Sequence, residues 1–141
     1  MHKVVVDTNV LISAFIGKSF PRYIIRELFL ENKITLIVSH EIMLEYEGVS
    51  SRKKFQRYAN FSELARMTIE AIKSNAVLWH PKIKLSFLKD LSDNKFLETA
   101  IDAQADFLIT GNSNDFPFGK LDTVEIISPE NYCNTFWKQF L

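Results

Sequence analysis

The sequence predicts one α/β domain with a mostly parallel sheet and helices on both faces of that sheet. Short β-branched or apolar runs alternate with segments of helical period along all 141 residues. This length suits a single core, because domains usually run about 100 to 150 residues. The 47% apolar and 24% charged composition is that of a globular protein. We therefore expect residues 1–141 to form a single domain.

The first third of the chain predicts a strand, a helix and a strand. Residues 3–6, Lys-Val-Val-Val, form a β-branched run too short for a helical period, which indicates a strand buried on both faces. Residues 22–31 have a helical period, and residues 34–38 repeat the strand pattern. From Glu41 the apolar residues follow at i, i+4 and i+7, which predicts another helix.

The middle of the chain predicts a longer helix and a short strand. Residues 60–63, Asn-Phe-Ser-Glu, resemble a capping box that opens a helix to about Ser74. Residues 76–79 form a brief strand that ends before Pro81. Residues 82–91 give no firm assignment.

The last third completes the alternation. A helix is predicted from Ser92 and a strand over residues 106–110. Residues 111–119 have turn chemistry throughout. A last strand is predicted over residues 123–127, and Pro129 at a first helical position starts a terminal helix.

Charge and cysteine content limit the function classes. Seventeen basic and seventeen acidic residues balance, so the whole-chain charge does not indicate nucleic-acid binding. If four of those acids gathered in one pocket, the remaining surface would have a positive excess of four. A lone cysteine, Cys133, excludes an intramolecular disulfide and a cysteine-rich zinc site. With no bilayer-spanning run and no signal-peptide pattern, we expect a cytoplasmic protein without membrane contact.

Four acidic residues stand near strand ends. Asp7 directly follows the first strand, Glu45 lies in the helix after the second strand, and Asp93 and Asp115 flank the fourth strand region. In open α/β sheets, ligands bind outside the carboxyl ends of the strands. These four carboxylates are therefore predicted to converge on one edge of the sheet.

Such a cluster predicts a divalent metal site. Close carboxylates repel and raise one another's pKa unless cations lie among them. Oxygen ligands without histidine or cysteine favour Mg²⁺ or Mn²⁺ over zinc. Ions of this kind support hydrolysis of a phosphodiester, so the chemistry indicated is cleavage of nucleic acid.

Each acid also has a structural interpretation. By position alone, Asp7 is typical of a helix cap, and Asp93 of a favourable charge at a helix N-terminus. Glu45 is compatible with a solvated helix face beside Glu41, and Asp115 with an ordinary loop. Taken singly, each of the four is more typical of these structural roles.

Taken together, four segments resemble the four sequence blocks of PIN-domain nucleases. The first is an apolar strand followed by Asp-Thr-Asn and an apolar helix, and the second is a strand ended by serine with a glutamate in the next helix. The blocks occur in family order over nearly the whole chain, as Val4–Ala14, Ser39–Glu47, Asp93–Ala100 and Ala105–Phe116. The branch that this chain resembles is the bacterial, VapC-like toxin component of toxin–antitoxin pairs.

The resemblance implies a three-layer α/β/α sandwich with a parallel five-stranded sheet of order 3-2-1-4-5, in which Asp7 is central. It implies a metal-dependent ribonuclease that uses Mg²⁺ or Mn²⁺, acts on RNA, is restrained by an antitoxin protein and forms a homodimer. The implied metal-binding and catalytic acids are Asp7, Glu45, Asp93 and Asp115. The implied supporting polar groups are Thr8, Asn9, Ser39, Thr110 and Asn112.

This chain departs from the family pattern after the Thr-Gly pair. Many members have aspartate where this chain has Asn112, so Asp115 is expected to supply the fourth acid. Asp90 competes with Asp93 for the third position, and Glu41 or Glu98 is a candidate to assist.

Two other functions compete with the ribonuclease. A phosphatase of the haloacid dehalogenase type also places aspartate after the first strand, but it needs a second aspartate where this chain has Asn9. A PIN fold that binds RNA or a partner without cleaving it is compatible with Asn112. The tryptophans, Trp79 and Trp137, are predicted to be packing residues or interface anchors.

Overall fold

A sheet with parallel strands at its centre organises the fold. The structure is a computed structural model that describes residues 1–84, 94–112 and 119–141. Within those ranges the sheet has six strands in the order β3-β2-β1-β4-β6-β5. Neighbouring strands run parallel except for the antiparallel pair β5 and β6. The strands are β1 (Lys3–Val6), β2 (Thr35–Val38), β3 (Val77–Leu78), β4 (Phe107–Ile109), β5 (Lys120–Leu121) and β6 (Val124–Ile127).

Helices flank this sheet. They are α1 (Thr8–Ile16), α2 (Phe20–Arg22), which runs directly into a π-helix (Tyr23–Phe29), α3 (His40–Ser50), α4 (Phe61–Asn75), α5 (Asn94–Asp102) and α6 (Pro129–Phe136). Short 3₁₀-helices cover Lys53–Phe55 and Lys138–Phe140. Helix α1 packs against α3 and α4, and α5 packs against β1, β2 and β4. None of the helices described is both long and apolar enough to cross a membrane.

Strand β1 lies at the centre of the core. Its residues Val4, Val5 and Val6 are at most 1% exposed, as expected for a parallel strand covered on both faces. Strand β2 lies on one side of β1 and β4 on the other, so the order in which strands are added to the sheet reverses at β1. Ligands bind at such a point in open α/β sheets, and Asp7 is the first residue beyond β1.

The predicted α/β class is confirmed, whereas the predicted strand count of five is wrong. The five predicted strands are present, and the four longest lie within one residue of their expected bounds at each end. The additional strand β5 has two residues and folds back on β6 through a turn in which Asp122 has a φ of 57°. A strand this short has no alternating pattern from which it could be predicted.

The predicted capping box before α4 is wrong. Asn60 has a φ of 62°, in the left-handed region, and its side chain makes no capping hydrogen bond. The helix still begins at Phe61, and the Ser62 hydroxyl donates to the side-chain carbonyl of Gln56 instead. The helix predicted from Ser92 is described from Asn94 onward, and Ser92 itself lies outside the described residues.

Candidate active site

Asp7 is both a helix cap and the central acid of the candidate site. Its Oδ1 accepts from the Val10 backbone N–H at 2.9 Å and its Oδ2 accepts from the Thr110 hydroxyl. The residue is 9% exposed. Because both oxygens have a partner, the carboxylate is held in one orientation at the end of β1. The cap predicted by the structural interpretation and the position predicted by the functional one therefore coexist.

The surroundings of Asp7 disfavour its negative charge. Burial raises the pKa of Asp7 above its ordinary value of 3.8, and the negative charge of Glu45 raises it further. Hydrogen bonds from Thr110 and from the backbone of Val10 and Asn9 act in the opposite direction without cancelling the effect. A bound cation would remove this cost, because it stabilises the ionised carboxylate.

Glu45 is held between two elements. Its Oε2 accepts from the Thr8 hydroxyl, in the first turn of α1. Its Oε1 lies 2.5 Å from Nζ of Lys95, in the first turn of α5. The two side chains of this ion pair are 25% and 17% exposed. A positive charge from the protein therefore lies directly beside the second acid of the candidate site.

Thr110 links the end of β4 to Asp7. Its hydroxyl donates to Asp7 and accepts from the backbone N–H of Asn112 at 3.1 Å. The residue is 1% exposed. Asn112 thus supports the site through its backbone, while the residue itself is exposed.

Tyr46 lies next to Glu45 in α3 and connects that helix to β1. Its side chain is fully buried, and its hydroxyl donates to the Val6 carbonyl at 2.5 Å. Burial raises the pKa of Tyr46, and the negative charges of Asp7 and Glu45 raise it further. The phenol therefore stays protonated and fixes α3 against the end of β1. Sequence reasoning identified Tyr46 only as part of a helix face.

The other two predicted supporting residues have different surroundings. Ser39 caps α3, since its Oγ accepts from the Ile42 backbone N–H at 3.1 Å. Asn9 is exposed, and the hydrogen bond from its backbone N–H to the Asp7 carboxylate lowers the pKa of Asp7.

Comparison with known proteins identifies the family. A family model described as PIN domain matches residues 3–114. The chain belongs to the PIN-domain family. It is 31% identical over 112 residues to the uncharacterized protein MJ1680 of Methanocaldococcus jannaschii, a match that covers 79% of this chain and 72% of that protein.

A solved structure supports the fold of this PIN domain. The crystal structure of VapBC2 from Rickettsia felis, bound to a DNA fragment from its promoter, contains a chain that matches with a TM-score of 0.56. The sequence identity is 19%, and the match covers 89% of this chain and 98% of that chain. The likeness confirms the PIN-like arrangement of a sheet flanked by helices.

The PIN domain brings two of the four predicted acids together. Glu45 is close enough to Asp7 for its negative charge to raise the pKa of Asp7. Asp93 and Asp115 lie outside the described residues, as does Asp90. Within the described ranges, no three His, Cys, Asp or Glu residues form a group that could hold a metal ion.

The assisting candidates are also placed. Glu41 is exposed and lies 3.5 Å from Lys84. Glu98 is buried in α5.

The donor atoms of the site fit a hard divalent ion. Carboxylate, hydroxyl and amide oxygens are the ligands that Mg²⁺ and Mn²⁺ prefer. Asn94, next to Lys95 in the first turn of α5, is 4% exposed, and its Oδ1 has no hydrogen-bond partner among the described residues. Buried polar atoms usually have a partner, which can be ordered water or an ion.

Lys95 and Asn94 are the residues that sequence reasoning missed. They are the two residues after Asp93, and that proximity in the sequence is the signal that points to them. The contact between Lys95 and Glu45 joins residues fifty positions apart. It depends on how α3 and α5 pack, which local sequence patterns do not encode.

Proposed function

We propose that this PIN domain is a metal-dependent ribonuclease that hydrolyses phosphodiester bonds. The observation that carries the proposal is a buried, oriented Asp7 beside Glu45 at the carboxyl end of the central strand. Burial and the charge of Glu45 raise the pKa of Asp7 more than its hydrogen bonds lower it, which is compatible with a site that takes up a cation. The cap of α1 contributes to the fold, but a buried charge that is only partly compensated costs free energy, and a bound cation would remove that cost.

The acids of the site would hold Mg²⁺ or Mn²⁺. In this proposal Asp7 and Glu45 are joined by Asp93 and Asp115 from the sequence pattern. When bound, such an ion lowers the pKa of water and stabilises the negative charge that develops on a phosphodiester during displacement.

The remaining residues of the site orient these acids. The Thr110 hydroxyl and the Val10 backbone N–H fix the two oxygens of Asp7. Thr8 and Lys95 fix the two oxygens of Glu45. Residues that orient metal ligands in this way commonly affect metal affinity by about 10- to 100-fold.

The biological role we propose is that of a toxin restrained by an antitoxin protein. The support is the match to the PIN domain family and the structural likeness to a chain of the VapBC2 complex. We also propose that residues 1–141 form a single PIN domain, since β6 and α6 beyond residue 114 continue the same sheet and core. By the same resemblance the protein is expected to act as a homodimer in the cytoplasm.

The Asp7→Asn variant tests the nuclease. Asparagine keeps an oxygen that can accept from Val10, so the fold should persist while the charge is lost. With Mn²⁺ and single-stranded RNA, we expect cleavage to fall more than about 100-fold, beyond the usual effect of an orienting residue. Full cleavage by the purified, folded variant would rule out Asp7 as a ligand. If the wild-type protein binds RNA but cleaves none with either metal, the PIN fold acts as a binding module.

Growth and light scattering test the biological role. Expression of the wild-type chain should slow growth, and expression of Asp7→Asn at the same level should not. Equal growth inhibition by both chains would contradict a nuclease toxin. A fully active monomer at micromolar concentration would contradict the expected homodimer.

A further inference from the structure

A groove of about 220 Å³ opens beside the acidic site. Three elements line it, and they carry two lysine and two glutamate side chains. They are the first turn of α3 with Ser39, His40 and Glu41, the segment after β3 with Trp79, His80, Pro81 and Lys84, and α5 with Lys95 and Glu98. The N-terminal end of α3 follows the carboxyl end of β2, and the segment with Trp79 follows the carboxyl end of β3. The groove is therefore at the edge of the sheet where ligands of α/β folds bind.

Trp79 presents a fixed ring in this groove. The residue is 38% exposed, although its backbone N–H donates to the Val38 carbonyl at 2.8 Å. The indole N–H donates to Oδ2 of Asp102 at 2.6 Å. These two hydrogen bonds hold the ring in place at the surface. A large aromatic side chain that is both exposed and oriented is suited to stack against a planar ligand.

Lys95 connects the groove to the acidic site. It lines the groove, and its Nζ is 2.5 Å from Oε1 of Glu45. An ammonium group has three donors, and only one of them is needed for this contact. A ligand in the groove that carries a phosphate toward the acids would meet the remaining donors.

The size of the groove limits the occupant. Pockets for drug-sized ligands span about 300 to 1,000 Å³, so about 220 Å³ suits one ring system rather than a base pair. Single-stranded RNA presents unpaired bases that stack on aromatic side chains, whereas a duplex keeps its bases stacked within the helix.

We infer that this groove binds one nucleotide of a single-stranded RNA next to the cleaved phosphodiester. The base stacks on Trp79, and Lys95 contacts the adjoining phosphate. The inference rests on the proposed function, since it assigns a substrate-binding residue to the same site. It makes Trp79 a determinant of affinity and of the preferred base at one position.

Binding is measured without cleavage, so that the two proposals can fail separately. In an Asp7→Asn, Trp137→Phe protein with EDTA, Trp79 is the sole tryptophan of the chain. A single-stranded RNA of about ten nucleotides should quench its fluorescence, and a duplex of the same sequence should quench it much less. Trp79→Ala in the Asp7→Asn background should raise the Kd for this RNA by about 5- to 150-fold by fluorescence anisotropy of labelled RNA.

Two further variants test the orientation of the Trp79 ring and control for loss of an exposed aromatic ring elsewhere. Asp102→Asn removes the ionic acceptor of the indole N–H, so it should raise the Kd by less than Trp79→Ala does. Phe140→Ala removes an aromatic ring that is 59% exposed and does not line this groove, and it should leave the Kd unchanged. In the metal-loaded wild-type background, Trp79→Ala should raise KM and leave kcat nearly unchanged.

Quenching by RNA together with weaker binding by folded Trp79→Ala supports the groove, even if no metal produces cleavage. Absence of quenching, or equal RNA binding by wild type and Trp79→Ala, overturns it, even if the protein cleaves RNA. Equal quenching by the duplex overturns the assignment to single strands.

Discussion

Asp7 uses the same two oxygens for the fold and for the candidate chemistry. As a cap it satisfies the N–H of Val10, which an α-helix leaves unpaired in its first turn. As an acid it is oriented by Thr110 and lies close to Glu45. Sequence reasoning set these two interpretations against each other, yet the geometry of a β-strand followed at once by a helix allows both.

The hydrogen bond from Thr110 should set the pH dependence of the site. The Thr110 hydroxyl lowers the pKa of Asp7, so Thr110→Val should raise that pKa further because valine has no donor. The ionised form of Asp7, which we propose binds the metal, would then appear only at higher pH. We expect Mn²⁺ affinity near neutral pH to fall about 10- to 100-fold and the acidic limb of the cleavage profile to move to higher pH.

Thr110→Ser is the matched control for that change. Serine keeps the hydroxyl, so its pH profile should follow that of wild type. Calorimetric Mn²⁺ titrations and cleavage rates across pH measure both effects. Identical acidic limbs for the valine and serine variants would contradict the role of this hydrogen bond.

The fourth acid provides a second prediction. Asn112 contacts Thr110 through its backbone N–H, which alanine retains. We therefore expect Asn112→Ala to keep most of the activity, while Asp115→Ala weakens Mn²⁺ binding and cleavage much more, because a carboxylate binds a divalent cation more tightly than an amide does. Asn112→Asp should leave activity near that of wild type or raise it.

The three variants are compared side by side by calorimetry and RNA cleavage. If Asp115→Ala behaves like wild type and Asn112→Ala is inactive, the expected position of the fourth acid is wrong. The site would then have three carboxylates and one amide.

Helices α3 and α6 have the same kind of N-terminal cap, so their serines can be compared directly. Ser39 and Ser128 each accept a backbone N–H at 3.1 Å, from Ile42 and Asn131. Replacing a serine cap by alanine costs about 0.5 to 2 kcal/mol, so Ser39→Ala and Ser128→Ala should destabilise the protein by similar amounts in urea. Because α3 carries Glu45, only Ser39→Ala should also weaken Mn²⁺ binding.

Ser39→Thr separates capping from direct participation, since threonine can also cap a helix. It should restore both stability and Mn²⁺ affinity. Recovery of stability without recovery of affinity would instead indicate that Ser39 contributes to the site by itself.

Elements with a strong pattern were predictable, and those held by tertiary contacts were not. The β-branched run of β1 and the Pro129 start of α6 follow from local chemistry. The start of α4 was predicted at the right place for the wrong reason, because Asn60 adopts a left-handed conformation instead of capping. Asparagine tolerates that conformation better than most residues do. It is also a preferred capping residue, so the sequence alone does not distinguish the two roles.

The candidate site divides in the same way. Asp7 and Glu45 were predictable because strand ends and family blocks mark them. Trp79 was predicted to pack or to anchor an interface, whereas its place beside the site rests on hydrogen bonds to Val38 and Asp102, which are distant in the sequence. The contact of Lys95 with Glu45 likewise arises only from packing of separate helices.

At the scale of the whole molecule, metal binding should reverse the stability order of wild type and Asp7→Asn. In EDTA, the neutral form of Asp7 is favoured by the fold, because its pKa is raised. That contribution to stability is fully present below the ordinary pKa of 3.8 and is lost as pH rises through the raised value. Near neutral pH the variant, which has no charge to bury, should therefore have the higher Tm.

Manganese should then act on wild type far more than on the variant. An ion that binds only the folded state at 100 times its Kd adds about 2.7 kcal/mol, or about 5 to 10 °C in Tm for a chain of this size. The variant lacks the carboxylate that we propose as a metal ligand, so its Tm should change little and the order of the two Tm values should reverse. Calorimetric scans of both proteins, with EDTA and with Mn²⁺, measure this. Equal shifts in the two proteins would place the ion away from Asp7, whereas a wild type already more stable in EDTA would show that its neighbours compensate the buried charge without a metal.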